Sequence, residues 1–256
     1  MRPAPINPSG PAWLRRAQPA LGTLVEIGVP ADHGHAQQAC DAGFAVISRV
    51  QAALSRFDPH SDTSRFRDAP AGTSLAVQAL SARVLRAAQA LYRASNGAFD
   101  IALGSGRWLV AGHTLHKLDA RASLDLGGVA KGHAVDEAVR ALQAAGCHSG
   151  WVNAGGDLRA FGQARVPVLR RDDHGGGLRP WGELQAGALA SSAFGGQARS
   201  RLHAPLAGER ALQVSVLAHR CLWADALTKL VAATGRTDHP LLARLGAQAW
   251  LHPEPA

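Results

Sequence analysis

The chain has 256 residues, of which 46% are hydrophobic, and this is enough to bury a substantial core. Its net charge of +8 at pH 7 comes from scattered basic residues, mostly arginine, and only 5% of its residues are aromatic. A nucleic-acid surface would need a basic stripe with interleaved aromatic residues, so we expect no nucleic-acid partner. The diffuse positive field suits nucleotides, polyphosphates or acidic proteins.

The composition also bears on the compartment. No apolar run approaches the roughly 20 residues that cross a bilayer, and the proline-rich N-terminal region lacks an apolar signal core. Cys40, Cys147 and Cys221 are odd in number and widely spaced, which favours reduced thiols over a disulfide framework or a zinc site. We therefore predict a cytoplasmic protein without direct membrane insertion. Residues 1–19 are predicted to form a disordered tail, and residues 20–252 a single domain.

Along the chain, hydrophobic periodicity alternates between helix and strand patterns, which indicates an α+β fold. The predicted elements of the N-terminal half are a strand at 21–29, a helix at 36–54, a polar loop at 56–68, a helix at 81–93, an irregular Gly-rich segment at 96–112, a strand at 122–126 and a helix from Val129. The C-terminal half is predicted to hold strands at 150–154, 158–162 and 166–170, a surface turn at 172–180, strands at 187–192 and 211–217, a helix at 222–234, and a short helix and strand before Pro253.

The most informative segment is residues 125–136, with the sequence DLGGVAKGHAVD. Gly127 and Gly128 let the backbone approach a ligand closely, and the N-terminus of the following helix favours an anion. Lys131 adds a cation in the first turn of that helix. The segment predicts a phosphate-binding turn, although a tight strand-to-helix connection without a ligand explains the same pattern.

Seven short motifs follow one another along residues 20–235. They are ALGT (20–23), LSRFDPHSDTSRF (54–66), NGAFD (96–100), DLGGVAKGHAVD (125–136), NAGGD (153–157), GALASS (187–192) and ADAL (224–227). None is specific alone, but in this order they resemble the ApbE family, the flavin transferases that move FMN from FAD onto a protein threonine or serine. The resemblance implies an ApbE-like fold, with mixed sheets flanked by helices in two intimately packed lobes and FAD bound between them.

The resemblance also implies roles for residues around FAD. The cofactor-binding candidates are Leu21 and Phe57 at the flavin ring, Ala98, Phe99 and Asp100 at the adenine or ribose, and Asp125, Lys131 and Arg201 around the phosphates. Ordinary core packing would explain Leu21 or Phe57 equally well, and Asp100 could cap a turn instead. Asp157 of the NAGGD motif is predicted to be structural.

A magnesium ion beside the pyrophosphate is a further implication of the resemblance. Its ligands would be the carbonyl of Gly128 and the side chains of Asp225 and Thr228, because hard oxygen donors suit magnesium. The family places threonine four residues after the aspartate, whereas this chain has Lys229 there. Lys229 could replace the metal's charge, abolish metal binding, or point to solvent and leave the metal to Thr228.

A second departure from the family pattern concerns the residue that would accept the proton of the incoming hydroxyl. Where the family has His-x-x-Asp-Pro-x-Thr-Gly, residues 201–208 read RLHAPLAG, with Arg201 in the histidine position and Ala204 in the aspartate position. Arginine can neutralise the leaving AMP but cannot accept the proton of the incoming hydroxyl. The catalytic candidates are therefore Asp225 and His203, which lies two residues after Arg201.

The function predicted from these residues is FAD:protein FMN transfer. The acceptor would be a flavoprotein with a Thr or Ser recognition motif, AMP would be released, and magnesium would be required. The alternative is a catalytically impaired homologue that binds FAD or an adenine nucleotide without transfer, as a carrier or regulator. Slow metal-dependent hydrolysis of FAD to FMN and AMP is a third possibility.

Overall fold

The structure is a computed structural model that describes residues 12–171, 177–194, 202 and 212–253. Within this part of the chain it forms ten strands and six helices. Their order is β1 (Trp13–Ala20), β2 (Thr23–Pro30), α1 (Ala36–Leu54), α2 (Asp62–Asp68), β3 (Ser74–Ala76), α3 (Ala79–Ala94), β4 (Trp108–Ala111), β5 (Thr114–Lys117), α4 (Ala130–Ala144), β6 (Gly150–Ala154), β7 (Asp157–Arg171), β8 (Leu178–Phe194), β9 (Leu212–Ala218), α5 (Cys221–Thr234), α6 (Pro240–Arg244) and β10 (Gln248–Pro253).

The strands form two antiparallel sheets. The larger has seven strands in the order β1-β2-β6-β7-β8-β9-β10, and the smaller has three in the order β3-β5-β4. Helix α4 packs against both α1 and α5, and all three helices pack against the larger sheet. The combination of helices with separate antiparallel sheets confirms the predicted α+β class.

The main core lies between the larger sheet and these helices. Alternating residues of β2, including Val25 and Ile27, are fully buried there. Helices α4 and α5 approach very closely at Gly132, where a Cβ would lie only 2.3 Å from the carbonyl oxygen of Cys221. A smaller cluster around Trp151 and Leu158 covers part of the opposite sheet face. The close α4–α5 crossing brings the start of α4 next to the interior of α5.

The prediction of a disordered tail through residue 19 is wrong from Trp13 onward. Residues 13–20 form β1 and pair with β2 along its whole length, from Trp13 opposite Pro30 to Ala20 opposite Thr23. The prolines suggested disorder, but β1 is an edge strand, where a proline such as Pro19 is tolerated because one side of the strand makes no ladder hydrogen bonds. Residues 1–11 lie outside the described residues, and the single domain over 20–252 stays a prediction.

Several local predictions also differ from the structure. Residues 122–126 join neither sheet; the N–H of Asp125 donates to the carbonyl of Ile101, a link that does not continue into a ladder. The predicted polar loop contains α2, whose N-cap Ser61 accepts a hydrogen bond from the N–H of Ser64 at 3.0 Å. The predicted Gly-rich irregular segment contains β4. The two strands predicted between 158 and 170 are one strand, β7, with a pairing irregularity between Ala160 and Arg165.

Two further features concern the cysteines and the length of the helices. All three cysteines are buried and free, as the spacing predicted. In the described ranges no helix combines the length and the apolar composition needed to span a bilayer.

Candidate functional site

A cavity of about 810 Å³ opens beside the β1–β2 turn, the end of α1 and the start of α4. Every predicted cofactor-binding residue that the structure describes lines it: Leu21, Phe57, Ala98, Phe99, Asp100, Asp125 and Lys131. Gly128 and Lys229 also line it. Two more candidates, the cofactor-binding Arg201 and the catalytic His203, fall outside the described residues. Positions far apart in sequence therefore meet at one cavity, and their roles toward a ligand stay predictions.

The rim at the β1–β2 turn is a strained hairpin. Ala20 pairs with Thr23, so Leu21 and Gly22 form a two-residue loop, and both have positive φ, 56° and 72°. Leucine seldom adopts this conformation, which is typical of backbone held in place at functional sites. The N–H of Leu21 donates to Oε1 of Gln51 at 2.6 Å, so α1 fixes the turn. Gln51 was not predicted, because nothing in the sequence distinguishes it from other polar residues of that helix.

Phe57 also lines the cavity; it is 82% exposed, and the Arg56 guanidinium lies 4.7 Å from its ring centroid. An exposed aromatic ring at a cavity is available for stacking on a flat ligand. Asp100, by contrast, is committed to its own turn. Its carboxylate accepts from the N–H groups of Ala102 and Gly104, each at 2.8 Å, which is the turn-capping alternative.

The glycine turn before α4 uses most of its amides internally. The N–H of Gly127 donates to Oδ1 of Asp125 at 2.8 Å, and the N–H groups of Val129 and Ala130 both donate to the carbonyl of Leu126. The N–H of Gly132 donates to Oδ2 of Asp225 at 3.1 Å. The predicted anion site at the helix start therefore has few free amides, and its positive charge comes mainly from side chains.

The first of these side chains is Lys131, whose Nζ forms an ion pair with Oδ2 of the fully buried Asp157. Burial, reinforced by the charge of Asp225, raises the pKa of Asp157 to about 7 even though the lysines oppose this. Burial would lower the pKa of Lys131, but Asp225 and Asp157 outweigh it and raise that pKa. Among the described residues Oδ1 of Asp157 has no hydrogen-bond partner. Asp157 is thus buried beneath the cavity as a counter-ion for Lys131.

The second is Lys229 of α5. Its Nζ donates to the hydroxyl of Ser192 at 2.9 Å and to the carbonyl of Asp225 at 3.2 Å, and it forms an ion pair with Oδ1 of Asp225. Burial alone would raise the pKa of Asp225, but Lys229 and Lys131 lower it below the ordinary value. Lys229 is 5% exposed, so it does not point to solvent as one alternative proposed.

The predicted magnesium ligands do not fit a divalent cation in this arrangement. Both carboxylate oxygens of Asp225 already accept from nitrogen donors, Lys229 and the N–H of Gly132. The Thr228 hydroxyl is fully buried, donates to the Asp225 carbonyl at 2.7 Å and lies 3.0 Å from the Ser192 hydroxyl. A metal at Asp225 would have to displace an ammonium group and then sit beside it. Over the described ranges, no group of three or more His, Cys, Asp or Glu side chains is arranged to hold a metal.

His133, which follows the glycine turn, does not contact a ligand site. It is 1% exposed, and its Nε2 lies 3.0 Å from the carbonyl of Leu80. Burial lowers its pKa to about 4, although Glu137, 3.6 Å from its Nδ1, acts in the opposite direction. His133 is therefore a neutral core residue, as its place on the buried face of α4 requires.

This burial predicts an acid-sensitive fold. The unfolded chain binds a proton at His133 near pH 6.5, whereas the folded chain does so only near pH 4, so the stability that His133 provides above pH 6.5 is lost as the pH falls toward 4. Unfolding in urea at several pH values should show that His133→Gln removes about 1.4 kcal/mol per pH unit of this dependence. The exposed His60→Gln is the control. If the free energy of unfolding fell equally steeply below pH 6.5 in His133→Gln and in the wild type, the prediction would be contradicted.

Comparison with known proteins agrees with this architecture. The model of the ApbE family matches residues 21–114 and 106–251. No curated protein matches the chain in sequence. The fold is similar to that of the ApbE protein from Thermotoga maritima, with a TM-score of 0.79, 21% identity and 95% of each chain covered. It is also similar to the flavinyl transferase ApbE of Pseudomonas stutzeri in its apo form, with a TM-score of 0.78, 21% identity and coverage of 96% of this chain and 92% of that one. A third similar structure is the flavin transferase ApbE of Vibrio cholerae, with a TM-score of 0.76, 17% identity and coverage of 95% and 97%.

The family match spans nearly all of the described residues, and the structural likeness extends over the same length. The family match confirms the resemblance that rested on seven short motifs, the structural likeness shows the same fold, and the chain belongs to the ApbE family.

Proposed function

We propose that this protein transfers FMN from FAD to a threonine or serine hydroxyl of an acceptor flavoprotein and releases AMP. The observation that carries the proposal is the convergence of seven predicted cofactor-binding residues on one cavity of about 810 Å³ in a member of the ApbE family. A cavity of this size accommodates a dinucleotide that is partly exposed to solvent. Two of the similar structures are described as flavin or flavinyl transferases, which supports the same activity here.

The proposed roles are those that the family resemblance implies for the residues that line the cavity. The flavin ring lies against the Leu21 turn and Phe57, and the adenosine half lies toward Ala98, Phe99 and Asp100. Lys131, on the cavity wall, neutralises the diphosphate. Asp225 does not line the cavity, so we assign it a positioning role, through its contacts with Lys229 and with the N–H of Gly132.

The reaction exchanges one phosphorus–oxygen bond for another. The acceptor hydroxyl oxygen attacks the phosphorus of the FMN half, and the bond from that phosphorus to the bridging oxygen breaks. AMP leaves with the electron pair, and the hydroxyl proton passes to a base. Among the candidates His203 is the proposed base, and Arg201 neutralises the charge on AMP.

The alternative function is FAD or adenine-nucleotide binding without transfer, and two observations favour it. Lys229 occupies the Asp225 oxygen that a metal-dependent transferase would need, and the sequence lacks the histidine and aspartate at positions 201 and 204. We propose the cytoplasm as the compartment for either function, because the three cysteines are free.

The test uses the purified protein, FAD and a library of synthetic peptides that each contain one threonine or serine. We expect AMP and an FMN-modified peptide in equal amounts, measured by chromatography and mass spectrometry. Peptides with alanine in place of the hydroxyl residue are the control. FAD binding without AMP would support the alternative, and AMP with free FMN and no adduct would indicate hydrolysis. Absence of FAD binding would overturn the transferase, and absence of both FAD and AMP binding would overturn the alternative as well.

A further inference from the structure

Two lysines from different helices reach the same cavity. Lys131 projects from the first turn of α4 and Lys229 from the middle of α5, and both line the cavity beside Gly127 and Gly128. The stem of Lys229 passes so close to Gly128 that a Cβ there would lie 3.0 Å from its Cε. The glycine at 128 therefore leaves room for this lysine.

Each lysine has a fully buried carboxylate behind it. Asp157 pairs with Lys131 and Asp225 pairs with Lys229, and neither carboxylate lines the cavity. The positive ends of both pairs thus face the cavity, and the negative ends lie beneath it. Such an arrangement attracts an anion, because the nearer charge dominates the local field.

The residue type at 229 adds an independent argument. The whole chain has 24 arginines but only three lysines, and two of the three line this cavity. If general positive charge were the requirement, arginine would be the expected residue in this composition. A compact ammonium group differs from a guanidinium because it fits among oxygen atoms much as an ion does.

The surroundings of Lys229 Nζ are those of a small cation. Its three oxygen neighbours are Oδ1 and the carbonyl oxygen of Asp225 and the hydroxyl of Ser192. An ammonium group has three N–H donors, and these oxygens take all three. Lys229 can therefore supply positive charge to a ligand in the cavity, whereas Lys131, with one hydrogen bond within the described residues, has N–H groups left to donate.

We propose that Lys229 replaces a divalent cation in this protein, so that the diphosphate of the dinucleotide is bound by the ammonium groups of Lys131 and Lys229 without a metal. The inference rests on the proposed function for the identity of the dinucleotide. The proposal also explains why the predicted magnesium ligands do not fit a metal. The Asp225 oxygens that a metal would need already bind the ammonium group of Lys229.

The first experiment measures the metal alone. Mn²⁺ is titrated into the ligand-free protein and free Mn²⁺ is followed by electron paramagnetic resonance. We expect no stoichiometric binding to the wild type, and one bound Mn²⁺ in Lys229→Thr, which frees Oδ1 of Asp225. Equally tight Mn²⁺ binding by both proteins would overturn the proposal, whether or not FAD binds.

The second experiment measures FAD affinity by fluorescence quenching, in EDTA and in excess magnesium at matched ionic strength. For the wild type we expect the two affinities to agree within about twofold, whereas Lys229→Thr should bind about tenfold or more weakly in EDTA and recover in magnesium. Arg236→Gln, which removes an exposed positive charge outside the cavity, should behave as the wild type.

The outcomes separate the two proposals. Wild-type FAD binding that strengthens about tenfold or more with magnesium would overturn the inference and leave the proposed function intact. No FAD binding under either condition would overturn the proposed function, and the Mn²⁺ titration would still test Lys229. The wild-type measurements need no variant, so they decide the question even if Lys229→Thr does not fold.

Discussion

Replacing Asp136 with alanine is expected to lower the free energy of unfolding by about 3–5 kcal/mol. Asp136 lies in α4 and is fully buried, yet its carboxylate holds the start of α5. Oδ1 accepts from the N–H of Cys221 at 3.0 Å and Oδ2 from that of Leu222 at 3.1 Å. The helix's own N-cap residue, Arg220, makes no side-chain cap, so Asp136 provides it from another element.

Two arginines complete this contact. Nη1 of Arg159 lies 2.6 Å from Oδ1 of Asp136, and Nε of Arg220 lies 3.3 Å from Oδ2. Alanine would therefore leave two buried helix N–H groups without an acceptor and two partly buried guanidinium groups without a counter-ion. Because α5 carries Lys229 and Asp225, the substitution should also weaken FAD binding by displacing them.

The measurement is urea unfolding, with Asp136→Asn as the matched variant. Asparagine keeps an acceptor oxygen for one of the two helix N–H groups, cannot accept from the other and removes the charge, so its loss of stability should lie between zero and that of alanine. Asp238→Ala, which breaks an exposed ion pair with Arg236, should change stability by less than about 1 kcal/mol. If Asp136→Ala were no worse than Asp238→Ala, the capping role would be refuted.

The longer helices and several strands could be predicted because their periodicity is local. The predicted helix at 36–54 agrees with α1 (Ala36–Leu54), and the predicted strand at 150–154 agrees with β6 (Gly150–Ala154). The edge strand β1 was missed because its composition resembles a loop, and its pairing with β2 is what makes it a strand. Short strands such as β3 carry too few residues to show a period.

The cavity lining was predicted from motif order, and the interactions beneath the cavity mostly were not. Lys131 was expected to face an anion, but its pairing with Asp157 joins residues 26 positions apart and leaves no sequence pattern. The contact of Lys229 with Asp225 was one of the alternatives, because an i,i+4 spacing places both on one helix face. The role of Asp136 at the start of α5 could not be predicted from the sequence, because its partners lie 23 to 86 residues away.

Replacing Lys131 with methionine is expected to weaken FAD binding about 10- to 100-fold, because the cavity loses an ammonium group that makes only one hydrogen bond to the part of the chain the structure describes. The substitution also removes the partner of Asp157, whose burial already raises its pKa to about 7. Without Lys131 that pKa rises further. Between about pH 4 and pH 7 the wild type and the variant should lose stability alike, because the unfolded chain ionises Asp157 there and neither fold does, so the additional loss caused by Lys131→Met should develop as the pH rises above about 7.

The double variant Lys131→Met/Asp157→Asn separates binding from folding. Asparagine cannot ionise, so the double variant should recover most of the stability lost by Lys131→Met, and the recovery should be larger near pH 8 than near pH 6. FAD affinity should not recover, because the ammonium group is still missing. Fluorescence titration and urea unfolding at both pH values measure the two effects. A double variant that bound FAD as tightly as the wild type would show that Lys131 serves the fold alone, and the diphosphate would then have to be bound elsewhere in the cavity.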